Sequence, residues 1–173
     1  MTVDLPAAWV RQVAGYPADG GPTGQQWLDT LPRLVSGSLQ RWGLDVDGPV
    51  RTGWTAVVVP VRRGHELLAL KVGWPHPEAT HEHLALRDWA GVGAVRLVAA
   101  DPGSGTLLLS RLDADRDLRL VDVEQACAVV GALLARLHRP AGAPYVGLGD
   151  FLQVHLERMS QQPAVPRRVR ELF

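Results

Sequence analysis

Apolar residues recur at helical spacing in two segments near the start of the chain. The first 14 residues place four apolar side chains on one side of a helix, namely Leu5, Trp9, Val10 and Val13. The same period continues over residues 25–42, and Gly43 supplies the signal that ends this helix. The pattern predicts two helices joined by a loop rich in glycine and proline over residues 15–24.

After residue 43 the pattern changes to that of strands. Runs of β-branched and apolar residues predict five strands, over residues 46–52, 55–61, 66–72, 94–100 and 106–111. Short connections between the first three strands predict an antiparallel meander, and a helical period over 77–90 follows the third strand. Pro60 cannot donate a backbone hydrogen bond, so we expect it near the end of its strand.

Two helices, separated by a loop after Pro140, are predicted in the last third of the chain. A polar connector over 113–119 precedes a helix whose apolar positions are spaced as a buried stripe requires, at Val123, Cys127, Val130, Leu134 and Leu137. A further helix is predicted over 151–159. Three arginines near the end predict a solvated basic patch, or a surface that another lobe covers, at Arg167, Arg168 and Arg170.

Charge and composition exclude several classes of protein. The 18 basic and 18 acidic residues of the 173-residue chain balance, which argues against a nucleic-acid partner. A single cysteine, Cys127, excludes an intrachain disulfide and, on the apolar stripe, is interpreted as an inert core residue. Neither a signal-peptide pattern nor an apolar run long enough to span a bilayer is present, so we expect a cytoplasmic protein without a membrane partner.

Lys71 is the single lysine among the 18 basic residues, and the chain contains no isoleucine or asparagine. The codons of all three residue types are AT-rich, so a GC-rich genome accounts for the bias. A lysine that persists against this bias suggests a site sized for an ammonium group, because the planar guanidinium of arginine does not fit the same space. Survival by chance is the alternative interpretation.

Two carboxylates of the predicted helix over 77–90 are candidate partners for Lys71. The spacing of Glu82, Ala85 and Trp89 places Glu82 on the apolar stripe of the helix, and Glu78 lies one turn earlier. A cation within an apolar strand is costly to bury unless an anion neutralises it. In kinases such a pair directs the lysine toward the nucleotide phosphates. A purely stabilising ion pair is the alternative.

Gly53 and a group of histidines carry weaker signals. Gly53 lies at the predicted turn between the first two strands, where backbone amides could approach a phosphate, although a plain hairpin turn explains it equally well. The spacing of His76, His81 and His83 matches no zinc motif, and we interpret them as solvent-facing histidines.

Three segments of the chain resemble the aminoglycoside and hydroxyurea phosphotransferase family, and especially its streptomycin-kinase branch. They are KVGWP at 71–75, EHLALRDWAG at 82–91 and GAVRLVAAD at 93–101, and the resemblance covers most of residues 25–140. It implies an α+β, protein-kinase-like fold. The expected N-lobe has a five-stranded antiparallel sheet and one C-type helix, preceded by N-terminal helices and followed by the first helices of a truncated helical C-lobe.

The resemblance also implies a cofactor, an acceptor and site residues. The donor would be ATP with Mg²⁺, and the acceptor an antibiotic or similar small molecule bearing a hydroxyl or amine. By position, Lys71 would contact the α- and β-phosphates and Glu82 would hold it. The remaining contacts would come from the phosphate loop, with Gly53 and Thr55, and from the backbone groups that bind adenine, the carbonyl of Ser110 and the amide of Leu112.

The chain departs from the family pattern in its catalytic machinery. No His-Gly-Asp sequence occurs, and the absence of asparagine removes one expected metal ligand. Since phosphoryl transfer depends on positioning and metal electrostatics, we expect no catalytic residue in this chain and no activity of this polypeptide by itself. The Mg²⁺ ligands would lie in a C-lobe that the sequence lacks.

The expected domains are a helical extension over 1–43, a nucleotide-binding N-lobe over 44–112, and a hinge connector with the beginning of the C-lobe over 113–173. The alternative function is a non-catalytic module that binds a partner or itself through the apolar surface of a lone lobe.

Overall fold

A computed structural model describes residues 4–161 of the chain. These residues form two compact units that divide between Arg139 and Pro140. The first unit contains a sheet and four α-helices, and the second contains one helix. The arginines at 167, 168 and 170, predicted to form a basic patch, lie outside the described residues.

The two predicted N-terminal helices are confirmed as α1 (Ala7–Ala14) and α2 (Gly24–Trp42). Helix α2 begins with a capping box in which the Thr23 side chain accepts from the Gln26 amide and the Gln26 side chain accepts from Thr23. It ends at Gly43, whose left-handed conformation (φ 62°) suits glycine.

The sheet contains six antiparallel strands: β1 (Asp45–Val46), β2 (Arg51–Thr52), β3 (Ala56–Arg63), β4 (Glu66–Gly73), β5 (Leu97–Asp101) and β6 (Thr106–Ser110). Their order is β1-β3-β4-β6-β5, and β2 also pairs with β3. The prediction of five strands was wrong because the expected strand over 46–52 is interrupted. Gly48 (φ 151°) and Pro49 lie between its two halves and break the ladder.

Pro60 lies within β3, opposite Ala69, and not near the strand's end as expected. Its carbonyl accepts a hydrogen bond from the Asp47 amide (2.8 Å). Because the nitrogen and oxygen of one strand residue point the same way, the missing N–H of Pro60 faces the interruption between β1 and β2. The missing N–H therefore removes no ladder bond to β4.

The two faces of the sheet differ in burial. On one face, the alternate residues of β3 and β4 are fully buried beneath α1 and α2: Val57, Val59, Val61, Leu68, Leu70 and Val72. On the opposite face, the intervening residues are half-buried: Val58, Pro60, Ala69 and Lys71. A sheet covered fully on one face and partly on the other leaves an open surface on which a ligand can lie.

The helix predicted over 77–90 is divided. Pro77–Ala79 form a short 3-10 helix, and α3 spans Glu82–Trp89. Thr80 and His81, between them, are weak helix formers, which favours the interruption. Helix α3 buries Leu86 against Leu107 and Leu109 of β6, on the open face of the sheet.

Helix α4 (Val123–Leu137) contradicts the prediction of a buried stripe. No residue of α4 is buried: Val123 is 75% exposed, and Cys127, Val130 and Leu134 are exposed as well. The helix contacts the rest of its unit near its C-terminal end, where the Trp89 indole donates to the Leu137 carbonyl (3.0 Å). The interpretation of Cys127 as a core residue was therefore wrong.

The second unit contains α5 (Leu148–Gln161), which begins three residues before the predicted helix over 151–159. Within residues 4–161, every helix is too short or too polar to cross a lipid bilayer.

Candidate nucleotide site

Lys71 lies on the open face of the sheet, in the middle of β4. Its neighbours across the ladders are Val58 of β3 and Leu107 of β6. The side chain is 25% exposed, so the ammonium is partly desolvated and not deeply buried. The alternation that turns Leu70 and Val72 into the core turns Lys71 toward this open face.

Glu82, the first residue of α3, forms an ion pair and hydrogen bond with Lys71. Its carboxylate is 34% exposed and lies in the first turn of the helix, where the helix dipole favours a negative charge. Glu78 belongs to the 3-10 helix and is exposed. Of the two candidate carboxylates, Glu82 is therefore the partner of Lys71.

The turn between β2 and β3 contains Gly53 and Thr55, and two tryptophans bind its backbone. The Trp9 indole of α1 donates to the Gly53 carbonyl (2.6 Å), and the Trp74 amide donates to the Thr55 carbonyl (2.7 Å). Gly53 itself is exposed and does not require a left-handed conformation. The turn is thus fixed to α1 and to the end of β4, and its Gly53 amide donates to Ala56 (2.8 Å).

Ser110 and Leu112 lie at the opposite end of the open face. Ser110 is the last residue of β6 and pairs with Leu68 of β4, whereas Leu112 lies beyond the strand and is exposed. At about 3.3 Å per strand residue, Leu68 lies about 10 Å along β4 from Lys71. The structure thus separates Ser110 and Leu112 from the Gly53–Thr55 turn, with Lys71 between them.

Sequence reasoning missed the apolar residues of the open face. Val58 and Pro60 of β3 and Ala69 of β4 lie on the same face as Lys71 and are half-buried. They form an apolar surface beside the ammonium group. Successive side chains of a strand point to opposite faces of the sheet. The residues that alternate with the buried valines and leucines of β3 and β4 could therefore have been assigned to this face.

A cavity of about 510 Å³ adjoins α3 on the side of the β5–β6 turn. Of the predicted site residues its lining includes Glu82, together with residues of the connection between β4 and α3 and residues 102, 103 and 105 of the turn. Its lining also includes Leu107, the β6 neighbour of Lys71, so the cavity lies beside the Lys71–Glu82 pair and adjoins the open face of the sheet.

The three histidines were expected to face solvent, but the structure encloses them in part. His76, His81 and His83 are half-buried, and the His76 ring stacks on Trp74 with centroids 5.5 Å apart. Within the described part of the chain, no three His, Cys, Asp or Glu side chains form a group that could hold a metal ion.

Comparison with known proteins identifies the class to which this chain belongs. Residues 41–167 match the model of a family described as aminoglycoside/hydroxyurea antibiotic resistance kinase. Streptomycin 6-kinase of Streptomyces griseus is 42% identical over 147 residues, 83% of this chain and 48% of the relative. Hydroxyurea phosphotransferase of Kitasatospora aureofaciens is 47% identical over 140 residues, 78% of this chain and 40% of the relative.

A third relative, streptomycin 3''-kinase of Klebsiella pneumoniae, is 33% identical over 111 residues, 61% of this chain and 40% of the relative. All three relatives are kinases or phosphotransferases by name. The chain belongs to the aminoglycoside/hydroxyurea antibiotic resistance kinase family. It spans about half the length, or less, of these curated relatives. No solved structure matches it.

Proposed function

We propose that this chain provides the ATP-binding part of a kinase that phosphorylates a hydroxyl or amine of a small molecule, such as an aminoglycoside or a hydroxyurea-like compound. The observation that supports it most strongly is the Lys71–Glu82 pair on the open face of the sheet. An ammonium that is held by a carboxylate and is 25% exposed remains available to a phosphate, whereas a fully enclosed ion pair does not.

The proposed nucleotide lies along β4. Its adenine would meet the carbonyl of Ser110 and the amide of Leu112, and its α- and β-phosphates would meet Lys71. Glu82 keeps the lysine in place, and the turn with Gly53 and Thr55 would contact the terminal phosphates. The distance of about 10 Å between the adenine end and Lys71 suits a nucleoside with its first phosphates.

The acceptor and the metal require residues beyond those described. The described residues contain no group of three His, Cys, Asp or Glu side chains that could hold a metal ion, and the sequence lacks both a His-Gly-Asp loop and asparagine. We therefore propose that these 173 residues bind ATP and do not transfer its phosphoryl group alone, and that the Mg²⁺ ligands and the catalytic aspartate come from a C-lobe. ATP would supply the phosphoryl group, and Mg²⁺ would neutralise its developing charge.

We further propose that residues 1–43 are a helical extension, that 44–112 form the nucleotide-binding lobe, and that 113–173 are the hinge connector and the start of a helical lobe. The exposed apolar residues of α4 support this division. A helix with a 3.6-residue apolar period and no buried residue lacks the surface on which such a stripe normally packs.

ATP titration of the unsubstituted chain and of Lys71→Ala tests the proposal. We expect Lys71→Ala to weaken ATP binding by about tenfold, equivalent to about 1.4 kcal/mol. Arg62→Ala is the matched control, because it removes a cation from the neighbouring strand and the Arg62 side chain is half exposed. Equal ATP affinity of Lys71→Ala and the unsubstituted chain would exclude Lys71 from phosphate binding.

A second candidate function is self-association or partner binding through α4. The observation that favours it is the same exposed apolar stripe, which includes Val130 and Leu134. Sedimentation velocity tests it: a dimer that Val130→Glu with Leu134→Glu converts to a monomer would support self-association. A monodisperse monomer at all concentrations would argue against it.

A further inference from the structure

Arg111 lies directly between the two residues proposed to bind adenine, Ser110 and Leu112. It follows β6, and its backbone amide still donates to the Leu67 carbonyl of β4 (3.3 Å). It is two residues beyond Leu109, so strand alternation places its side chain on the open face of the sheet. Arg111 thus links the proposed adenine-binding segment to the sheet.

The guanidinium of Arg111 has three acceptors on three different segments. Its Nε donates to the Leu68 carbonyl of β4 (3.0 Å), one terminal nitrogen donates to the Val61 carbonyl of β3, and the other donates to the Asp47 carboxylate (2.7 Å). The side chain is largely buried, with 23% exposed. Asp47 precedes the interruption between β1 and β2, so the contacts cross the sheet from β6 to its far edge.

This arrangement requires the fork geometry of arginine. Three donors at fixed angles reach two backbone carbonyls and one carboxylate at the same time, and bonds from a charged donor are about twice as strong as neutral ones. A lysine at this position would carry the same charge on a single nitrogen, which cannot reach acceptors on three segments. The residue therefore acts through its shape as well as its charge.

We propose that Arg111 is a positioning residue for adenine recognition. By binding Val61, Leu68 and Asp47, it fixes the backbone on either side of it, where the Ser110 carbonyl and the Leu112 amide meet the base. The inference rests on the proposed function. The inference extends the proposed function by giving a role in base recognition to Arg111, whose side chain binds other segments of the sheet.

The test compares two ligands on the full 173-residue chain. ATP engages both the proposed adenine segment and Lys71, whereas inorganic tripolyphosphate engages the phosphate end alone. We expect Arg111→Lys to weaken ATP binding by about tenfold, the equivalent of one or two lost charge-assisted hydrogen bonds, and to leave tripolyphosphate affinity within about twofold. Lys71→Ala should weaken both ligands.

Arg63→Lys is the matched control. Arg63 forms an ion pair with Glu66 (2.8 Å) at the turn that joins β3 and β4, at the same end of the sheet as Ser110, so it tests whether any arginine at this end affects adenine binding. The same substitution there should leave both affinities unchanged. A general loss of fold would lower both affinities of Arg111→Lys together, and circular dichroism would detect it.

Asp47→Ala keeps the inference falsifiable if Arg111→Lys does not fold. It removes one acceptor of Arg111 from an exposed loop, and the Asp47 amide can still donate to Pro60. We expect ATP affinity to fall severalfold and tripolyphosphate affinity to stay the same.

Two results would overturn the inference: unchanged ATP affinity in a folded Arg111→Lys or Asp47→Ala protein, or an equal loss for both ligands. If the unsubstituted chain binds neither ligand, the proposed function fails and the inference falls with it. If the unsubstituted chain binds ATP and the Arg111 variant binds it equally well, the inference alone fails.

Discussion

Lys71 of β4 pairs with Glu82, eleven residues further along the chain, at the point where α3 begins. The pair joins the sheet to the helix, and it lies on the half-buried face and not in the core. Both side chains remain partly accessible, so a bound anion can reach the ammonium group without first opening the fold. This accessibility distinguishes a ligand site from a buried structural ion pair.

Gly24→Ala should destabilise the protein severely. A Cβ at Gly24 would lie 1.7 Å from the Val13 carbonyl oxygen of α1, a backbone atom that cannot move without separating the two helices. We expect the free energy of unfolding to fall by more than about 3 kcal/mol, which chemical denaturation would measure.

Gly37→Ala is the control in the same helix. A Cβ there meets no atom within 4 Å, so alanine should stabilise α2 by about 0.5–1 kcal/mol through its higher helix propensity. Similar effects of the two substitutions would mean that α1 and α2 do not approach each other as closely as described.

The Arg41–Asp101 ion pair should make stability depend on pH. The hydrogen bond from Arg41, with a second from Ser104, lowers the pKa of Asp101 from its usual 3.8. A carboxylate with a lowered folded-state pKa stabilises the protein above its unfolded-state pKa, and this contribution is lost as the pH falls through the folded-state value.

Asp101→Asn should therefore lower the free energy of unfolding by about 0.5–1 kcal/mol at pH 7 and by less as the pH falls below 3.8. Urea denaturation at a series of pH values measures the difference. Asp45→Asn is the control, because its arginine partner is 4.0 Å away and the side chain is 72% exposed. A constant difference between Asp101→Asn and the unsubstituted chain at every pH would contradict the assignment.

Trp9→Phe should loosen the turn that contains Gly53. The substitution removes the indole N–H that donates to the Gly53 carbonyl, and we expect a loss of about 1–2 kcal/mol in the free energy of unfolding. Hydrogen exchange of the Gly53 amide should accelerate. Trp54→Phe, at a position 78% exposed, is the control and should change neither quantity. Unchanged exchange in Trp9→Phe would show that Trp9 does not fix the turn.

Local periodicity predicted the parts of the fold that depend on local sequence. Runs of β-branched and apolar residues over 55–61 and 66–72 place Lys71 on a strand, and the helical period places Glu82 on the following helix. Their pairing follows because each needs an opposite charge. The family resemblance also rested on these segments and is confirmed by the family match.

Features that depend on distant residues left no such pattern. The interruption of the first strand faces Pro60, which lies in another strand, and the contacts of Arg111 are mostly to backbone carbonyls, which any residue type presents. The exposure of α4 was also unpredictable, because an apolar stripe shows which face could pack and not whether a surface covers it.

A double-mutant cycle in ATP affinity tests the central claim most directly. The four proteins are the unsubstituted chain, Lys71→Ala, Glu82→Gln and the double variant, each titrated with ATP by calorimetry. If Glu82 acts by holding Lys71, Glu82→Gln should weaken binding by about threefold to tenfold, and adding it to Lys71→Ala should cause no further loss. Unchanged affinity in Glu82→Gln, or strictly additive losses in the double variant, would contradict the account.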